Sequence, residues 1–168
     1  MATGTGRTLI QLRGALPGAQ LVGLDLSSAY LRQANRWLAP RAGELPQLLQ
    51  GNAENLPFAD GSYQALSCVF LLHELPAKAR QNVINEAFRV LEPGGTLVLA
   101  DSIQRSDSPD LEVLLSSFPR HFHEPFYRNY VEDDIEARLS QAGFTSIRAA
   151  NHFVTRVWAA SRPVCKST

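Results

Sequence analysis

The chain has 168 residues, of which 45% are hydrophobic and 19% charged, and this composition suits one folded domain at roughly 150 residues per domain. Sixteen basic residues balance sixteen acidic ones, so the basic excess expected of a protein that binds nucleic acid through its phosphates is missing. No apolar run reaches the roughly 20 residues that span a bilayer. The first residues do not follow the pattern of a secretory signal. The two cysteines, Cys68 and Cys165, are too few for a disulfide framework. We therefore expect a cytoplasmic or other reducing compartment.

Strand and helix patterns alternate along the chain. The apolar run 21–24, closed by Asp25, predicts a buried strand, and helical spacing follows from Tyr30 to Leu38. Further strands are predicted at 46–50, 65–72, 96–100, 145–150 and 154–160, and further helices at 77–91 and 132–142. Only a few residues separate the last two strands, so they should pair antiparallel. This order predicts an α/β fold with a mostly parallel sheet, helices on both faces and a C-terminal antiparallel hairpin.

A glycine turn opens the chain and suggests a nucleotide site. Gly4 and Gly6 precede a short helical pattern, and glycines at a helix N-terminus let backbone N–H groups approach a ligand closely. Asp25 follows the first predicted strand, where a carboxylate can accept both hydroxyls of a ribose. The alternatives are a frayed chain start for the glycines and a plain helix-entry residue for Asp25. A dinucleotide fingerprint would have a third glycine where Leu9 stands, so a nicotinamide or flavin site is disfavoured.

Several motifs then follow one another in a characteristic order. They are Gly4-Thr5-Gly6, Leu24-Asp25, the segment 51–63 (GNAENLPFADGSY), 72–76 (LHELP) and 89–95 (RVLEPGG). Together they resemble a class I S-adenosylmethionine-dependent methyltransferase of the small-molecule, ubiquinone/menaquinone-biosynthesis-like subgroup, from residue 2 to the final hairpin. The resemblance implies a Rossmann-like sheet, S-adenosylmethionine as cofactor, and methyl transfer to a small, apolar or aromatic acceptor.

The resemblance also implies which residues bind the cofactor. Ala2, Gly4 and Gly6 form the glycine turn, Asp25 is the ribose acid, and Leu26 packs on the adenine. Asn52 and Ala53 read the adenine edge, and Val69 and Phe70 lie near the sulfonium. The family usually has Asp where Asn52 stands, but an Asn carbonyl still accepts from an exocyclic amine. A polar loop residue is the alternative for Asn52, and core packing is the alternative for Val69 and Phe70.

Catalysis asks little of the side chains in this family. The sulfonium is already an activated methyl donor, so the protein mainly aligns the acceptor and excludes water. A base is needed only where the acceptor must lose a proton. His73, just past a predicted strand, is the candidate base, and a structural or solvated histidine is the alternative.

Residues 102–130 interrupt the alternation of strands and helices and are rich in Pro, Ser, aromatic residues and His. In the resembling family this region forms part of a lid over the acceptor, whose candidate residues here are His121, His123, Tyr127 and Arg128. An aromatic-packed loop that covers a sheet edge is the alternative. Two histidines with Glu124 could ligate a metal, but this spacing is common and no third ligand pair accompanies it, so no metal is predicted. The family's signature for methylating exocyclic amines is absent, which argues against a DNA substrate.

The length is slightly short for this fold, since an open seven-stranded α/β sheet needs about 180 to 230 residues. In the resembling family the glycine turn follows a first strand, which here would precede Met1. We therefore expect a single methyltransferase-like domain over 1–168, truncated at its N-terminus, with 102–130 as a lid insertion. A late start codon, a gene fragment or a strand supplied by a partner chain would each explain this. The missing strand would leave two inner strands with unpaired backbone groups, or force them to pair directly.

Two other functions stay open at this point. One is a catalytically inactive methyltransferase-like binding or scaffold protein, which keeps the fold but transfers nothing. The other is a nucleotide-dependent oxidoreductase, which the missing third glycine disfavours. The partner that we expect is a small-molecule acceptor, without nucleic acid and without a membrane span.

Overall fold

The computed structural model describes residues 1–40 and 47–164. The chain divides into two compact units, Met1–Pro57 and Phe58–Thr168. Cys165 lies outside the described residues. No helix in the described part of the chain is both long and apolar enough to span a membrane.

The first unit combines two helices with a pair of parallel strands. Its elements are α1 (Arg7–Ala15), β1 (Val22–Asp25), α2 (Ser28–Leu38) and β2 (Gln47–Gln50). β1 and β2 pair in parallel from Val22 opposite Gln47 to Asp25 opposite Gln50. Ser27 caps α2 by accepting from the backbone N–H of Tyr30. The apolar stripe of α2 packs against α1, with Leu9, Ala34 and Leu38 forming the buried core.

The second unit holds a four-stranded sheet with the order β3–β4–β6–β5. Its strands are β3 (Tyr63–Val69), β4 (Leu91–Ser102), β5 (Thr145–His152) and β6 (Thr155–Ser161). β3 and β4 run parallel, and β6 pairs antiparallel with both β4 and β5. The predicted C-terminal hairpin is thus confirmed, and β5 is an edge strand of the sheet.

Four helices accompany this sheet: α3 (Ala77–Val90), α4 (Glu112–His121), α5 (Tyr127–Tyr130) and α6 (Ile135–Ala142). Short 3-10 turns occupy Leu72–Glu74, Arg105–Asp107 and Pro109–Leu111. α3 buries Val83, Ile84 and Ala87, and β4 buries Leu97 and Leu99. Cys68 on β3 is a buried free thiol, and burial raises its pKa to about 12. Helices interleaved with parallel strand pairs confirm the predicted α/β class.

Two predicted boundaries differ from the structure because long-range hydrogen bonds decide them. The strand predicted at 65–72 ends at Val69, since Phe70 adopts a positive φ of 51° and the backbone then turns into the 3-10 segment. The Pro-Gly-Gly stretch at 93–95 is part of β4 rather than a stop between helix and strand. There the N–H of Gly94 donates to the carbonyl of Arg162, and the N–H of Arg162 donates to the carbonyl of Gly95, both at 2.9 Å.

Two of the described strands have a partner on one side only. Among the described residues β1 pairs only with β2, and β3 pairs only with β4.

Candidate functional site

The glycine turn of the first unit is built against the end of β1. Thr3 donates its N–H to the carbonyl of Leu24 at 3.1 Å, and Gly6 donates to the carbonyl of Thr3 at 3.0 Å. Ala2, Gly4 and Gly6 all have a positive φ, of 52°, 53° and 83°. A Cβ on Gly6 would lie 3.0 Å from the Cβ of Ala34. Gly6 is therefore required both by the backbone conformation and by the close approach of α2.

Asp25 ties this turn to the strand end. Its buried carboxylate accepts from the N–H of Gly4 at 2.7 Å through Oδ2 and from the N–H of Ser27 at 2.9 Å through Oδ1. A carboxylate has about four acceptor positions, so each oxygen can accept a further hydrogen bond. The predicted ribose acid is thus held by two backbone N–H groups and keeps acceptor capacity of the kind that ribose hydroxyls need.

The remaining predicted adenine contacts follow the two parallel strands. Leu26, directly after β1, is 71% exposed, and its carbonyl accepts from Gln50 Nε2 at 3.1 Å. Asn52, just after β2, is exposed and folds into an Asx turn, since its Oδ1 accepts from the N–H of Glu54 at 2.9 Å. Ala53 beside it is half-buried. Both residues follow the carboxyl ends of parallel strands, where the sequence predicts contacts to an adenine.

In the second unit, the predicted base His73 lies in the 3-10 turn and is buried. Its Nδ1 lies 2.6 Å from Oδ1 of Asp101. Asp101 is 1% exposed, and its Oδ2 also accepts from the N–H groups of Leu71 and Leu72, at 3.1 and 2.8 Å. Because a carboxylate only accepts, Nδ1 carries the proton of this bond and Nε2 remains for chemistry.

The charge state of His73 is set by opposing effects. Burial by itself lowers the pKa of the imidazole, but the hydrogen bond to Asp101 and the negative charges of Asp101, Glu124 and Glu74 raise the pKa above its ordinary value. The net effect is a raised pKa, which means that these carboxylates stabilise the imidazolium formed when His73 takes up a proton.

Aromatic rings surround the imidazole. The ring centroids of Phe70, Tyr127 and Tyr130 lie 6.3, 6.0 and 6.2 Å from that of His73. The hydroxyl of Tyr127 lies 2.7 Å from Ser102 Oγ, and the hydroxyl of Tyr130 donates to the carbonyl of Ser102 at 2.6 Å. Burial raises the pKa of both phenols, so both keep their protons at neutral pH.

A row of rings continues from Tyr127 to the surface. Phe118 packs on Tyr127, and Phe122 stacks on Phe118, each with a centroid separation of 4.6 Å. Phe122 is 57% exposed. We call these three residues the aromatic row, and it leads along the segment 102–130 from solvent to His73.

The other predicted residues of this unit lie in different surroundings. Val69 ends β3 half-buried, and Phe70 is exposed. Of the predicted lid residues, Tyr127 is buried against His73, whereas His123 and Arg128 are exposed. His121 ends α4, but its side chain lies outside the described part of the structure.

Sequence reasoning does not find the groups that position His73. Asp25 is the last residue of β1 and Asp101 the last but one of β4, and in the sequence each closes an apolar run. This shared position is the signal that could have identified Asp101. Arg80 lies on α3 and has no such signal. It is fully buried, and its Nε donates to the carbonyls of Leu72 and Leu75, both at 3.0 Å. Its other nitrogens bond to Asp133 and, at 2.9 Å, to Asn129 Oδ1, so one guanidinium joins the His73 turn to the segment around α5.

Comparison with known proteins identifies the family. A family model described as a methyltransferase domain matches residues 1–95. The chain is 32% identical over 164 residues to the ubiquinone/menaquinone biosynthesis C-methyltransferase UbiE of Syntrophotalea carbinolica, covering 88% of this chain and 68% of that protein. It is 35% identical over 101 residues to the demethylmenaquinone methyltransferase of Thermus thermophilus, covering 60% of this chain and 44% of that protein.

Solved structures share the fold at lower identity. A SAM-dependent methyltransferase from Methanosarcina mazei aligns with a TM-score of 0.71 at 20% identity, covering 97% of this chain and 90% of that chain. Human N-acetylserotonin methyltransferase, solved in complex with SAM, aligns with a TM-score of 0.76 at 16% identity, covering 98% and 46%. The chain therefore belongs to the class I S-adenosylmethionine-dependent methyltransferases, in the ubiquinone/menaquinone-biosynthesis-like group, and S-adenosylmethionine is its cofactor.

Proposed function

We propose that the chain transfers a methyl group from S-adenosylmethionine to a small acceptor that is apolar or aromatic and has an ionisable O–H or acidic C–H, with His73 as the general base. The observation that carries this proposal is the buried pair of His73 and Asp101, with Nδ1 and Oδ1 2.6 Å apart, among aromatic rings. A carboxylate that fixes one imidazole nitrogen leaves the other for proton transfer.

The cofactor side of the proposal uses the nine residues that the sequence predicts. Gly4, Gly6 and Ala2 would wrap the methionine half, and Asp25 would accept from the ribose hydroxyls. Leu26, Asn52 and Ala53 would contact the adenine, and Val69 and Phe70 would lie near the methyl group. When bound, the cofactor supplies an activated methyl group, so none of these side chains needs to react.

The acceptor side uses the second unit. His73 Nε2 would take the proton of the acceptor as the acceptor's oxygen or carbon bonds to the methyl carbon. The bond between that carbon and the cofactor sulfur would break in the same step, leaving S-adenosylhomocysteine. Asp101 would hold the imidazole in place and balance the charge that it gains. An apolar or ring-bearing acceptor suits the aromatic row, because Phe118, Phe122 and Tyr127 offer ring faces and edges between the surface and His73.

We further propose that 102–130 is a lid within a single methyltransferase domain over 1–168. His121, His123, Tyr127 and Arg128 would contact the acceptor from this lid, and closure would exclude water from the methyl transfer. Sixteen basic against sixteen acidic residues support a small molecule rather than a nucleic acid as the partner. The buried free thiol of Cys68 is compatible with the cytoplasm or another reducing compartment.

Calorimetric titration with S-adenosylhomocysteine, followed by a methyl-transfer assay against a panel of substituted phenols, tests the proposal. We expect saturable 1:1 binding of the cofactor product and turnover of at least one ring-bearing acceptor. Absence of cofactor binding would contradict the methyltransferase assignment at its first step. Binding without turnover of any acceptor would favour a binding or scaffold protein, and saturable binding of a reduced nicotinamide would favour an oxidoreductase.

A further inference from the structure

A second set of groups meets at His73. The ligand atoms of His73, Glu74 and Glu124 lie within 4.8 Å of one another. We infer that these three residues form a binding site for a divalent transition-metal cation of the Zn²⁺ class, and that cation binding switches methyl transfer off. The sequence analysis considers Glu124 only together with His121 and His123, whereas His73 and Glu74 lie far along the chain from it.

The arrangement of His73 is the first support for a metal. Asp101 holds Nδ1, so Nε2 is the nitrogen left for coordination. Histidine ligands in metal sites commonly donate their other ring N–H to a carboxylate, which fixes the ring and strengthens the ligand. Asp101 is itself fixed by the N–H groups of Leu71, Leu72 and Ser102. The carboxylate that would orient the histidine ligand of a metal site is therefore already in place.

The second support is that one buried side chain holds both ligand-bearing segments. Arg80 bonds to the carbonyls of Leu72 and Leu75, which flank His73 and Glu74. It also bonds to the carbonyl of Phe126 at 3.5 Å and to Asn129, just beyond Glu124. The ligands are thus brought together before a cation arrives, which reduces the ordering that binding costs.

The donor set indicates the kind of cation. One imidazole nitrogen with two carboxylates suits Zn²⁺ and related transition metals, whereas Mg²⁺ and Ca²⁺ prefer sites made wholly of oxygen. Three protein ligands leave a fourth position open for water or an acceptor oxygen. His73 is buried, Glu124 half-buried and Glu74 exposed, so the cation can enter from the Glu74 side.

Coordination and proton transfer need the same atom. A cation on Nε2 occupies the lone pair with which His73 would take the proton of the acceptor. Metal occupancy and base function are therefore mutually exclusive. This consequence rests on the proposed function, whereas the binding site itself does not.

The test compares two glutamate variants of one segment of the chain. Glu124→Gln removes a ligand and keeps the side-chain size, and Glu112→Gln, outside the cluster, is the matched control. Zn²⁺ affinity is measured by competition with a chromophoric chelator, without cofactor or acceptor, and S-adenosylhomocysteine titration verifies the fold of each variant. We expect Glu124→Gln and His73→Gln to weaken Zn²⁺ binding by about tenfold or more and Glu112→Gln to leave it within about twofold. Equal Zn²⁺ affinity in wild type and Glu124→Gln would overturn the site.

A second measurement separates this inference from the proposed function. Zn²⁺ added to the methyl-transfer assay should inhibit the wild type and the Glu112→Gln variant at concentrations about tenfold or more below those needed for Glu124→Gln. A protein without turnover that still shows the difference in Zn²⁺ affinity would overturn the base role but support the metal site. A protein with turnover that Zn²⁺ inhibits equally in all three forms would overturn the metal site alone.

Discussion

Asp25 at the end of β1 and Asp101 near the end of β4 both accept hydrogen bonds from backbone N–H groups of a neighbouring turn. Asp25 accepts the N–H groups of Gly4 and Ser27, and Asp101 accepts those of Leu71, Leu72 and Ser102. In both cases a buried carboxylate gathers backbone donors that would otherwise lie unpaired at a sharp turn. Each aspartate then has acceptor capacity left for one further group, a ribose in the proposal for Asp25 and the His73 imidazole for Asp101.

We expect Asp25→Ala to weaken S-adenosylhomocysteine binding by about tenfold or more, because hydrogen bonds to charged acceptors contribute about 1.5 to 3 kcal/mol each. Asp25→Asn keeps one acceptor oxygen, so its affinity for S-adenosylhomocysteine should lie between those of wild type and Asp25→Ala. Calorimetric titration measures the affinity, and Asp110→Ala, at an exposed position of the second unit, is the control. An unchanged affinity in Asp25→Ala would mean that the ribose is bound elsewhere.

For His73→Ala we expect kcat to fall by about 10² to 10⁴, the usual contribution of a general base. Asp101→Asn should lower kcat while the acceptor KM and the cofactor Kd stay close to wild type, because Asp101 acts through His73. Steady-state kinetics with one phenolic acceptor provide both numbers. His152→Ala, at an exposed position on β5, is the control. A kcat loss of less than about tenfold in His73→Ala would show that His73 is not the general base.

At the scale of elements, the helices and strands follow from local patterns, and their ends follow from contacts across the fold. Apolar spacing predicts α2, α3 and the hairpin within a few residues. The pattern cannot show that β3 ends at Val69 or that β4 already includes Gly94, because those limits depend on Asp101 and Arg162 far along the chain. Boundaries set by partners distant in sequence leave no periodic signal.

The two glycines of α1 and its N-cap provide a matched pair of substitutions. Gly6→Ala places a Cβ 3.0 Å from that of Ala34 at a φ of +83°, so we expect it to destabilise the protein by about 1 to 3 kcal/mol. Gly14 has nothing within 4 Å of an added Cβ. Gly14→Ala should therefore stabilise the helix by about 0.5 to 1 kcal/mol. Urea unfolding of both variants measures the free energies, and equal stability of Gly6→Ala and wild type would contradict the close packing at this turn.

At the scale of the whole molecule, the net charge of zero gives no sign of the buried ionic network that the structure contains. Arg80, fully buried on α3, bonds to Asp133, which Arg138 also contacts through Nε at 2.7 and 2.8 Å. Nothing in the sequence marks Arg80, since a lone arginine in an amphipathic helix is usually solvated. Candidate cofactor residues can be named from the sequence because they match motifs and several of them follow strands, and these assignments stay predictions. The network joins residues 53 positions apart and has no motif.

This network predicts how stability depends on pH. Burial by itself raises the pKa of Asp133, but the hydrogen bonds from Arg138 and Arg80 outweigh it and lower the pKa below the ordinary value. The ionised Asp133 therefore stabilises the fold at pH values above about 4, and this contribution is lost as the pH falls through the lowered pKa.

Asp133→Asn should accordingly reduce the free energy of unfolding most at neutral pH, by about 3 to 5 kcal/mol if Arg80 is left without its charged partner. The deficit should shrink as the pH falls below about 4. Urea unfolding at a series of pH values measures it, with Asp110→Asn as control. A deficit that is the same at pH 7 and pH 3 would rule out the ionic contribution.

The buried, protonated thiol of Cys68 reports on the local opening of β3, the strand that carries it. A thiol whose pKa is raised to about 12 and that is 2% exposed cannot react with a thiol reagent while β3 stays closed. In a Cys165→Ser background, the labelling rate at pH 8 should therefore equal the opening rate of β3 once the reagent is in excess. Labelling at the rate of a free thiol in folded protein would contradict the burial. Because β3 pairs only with β4 within the described part of the chain, that rate also measures how firmly this outer strand is held in its sheet.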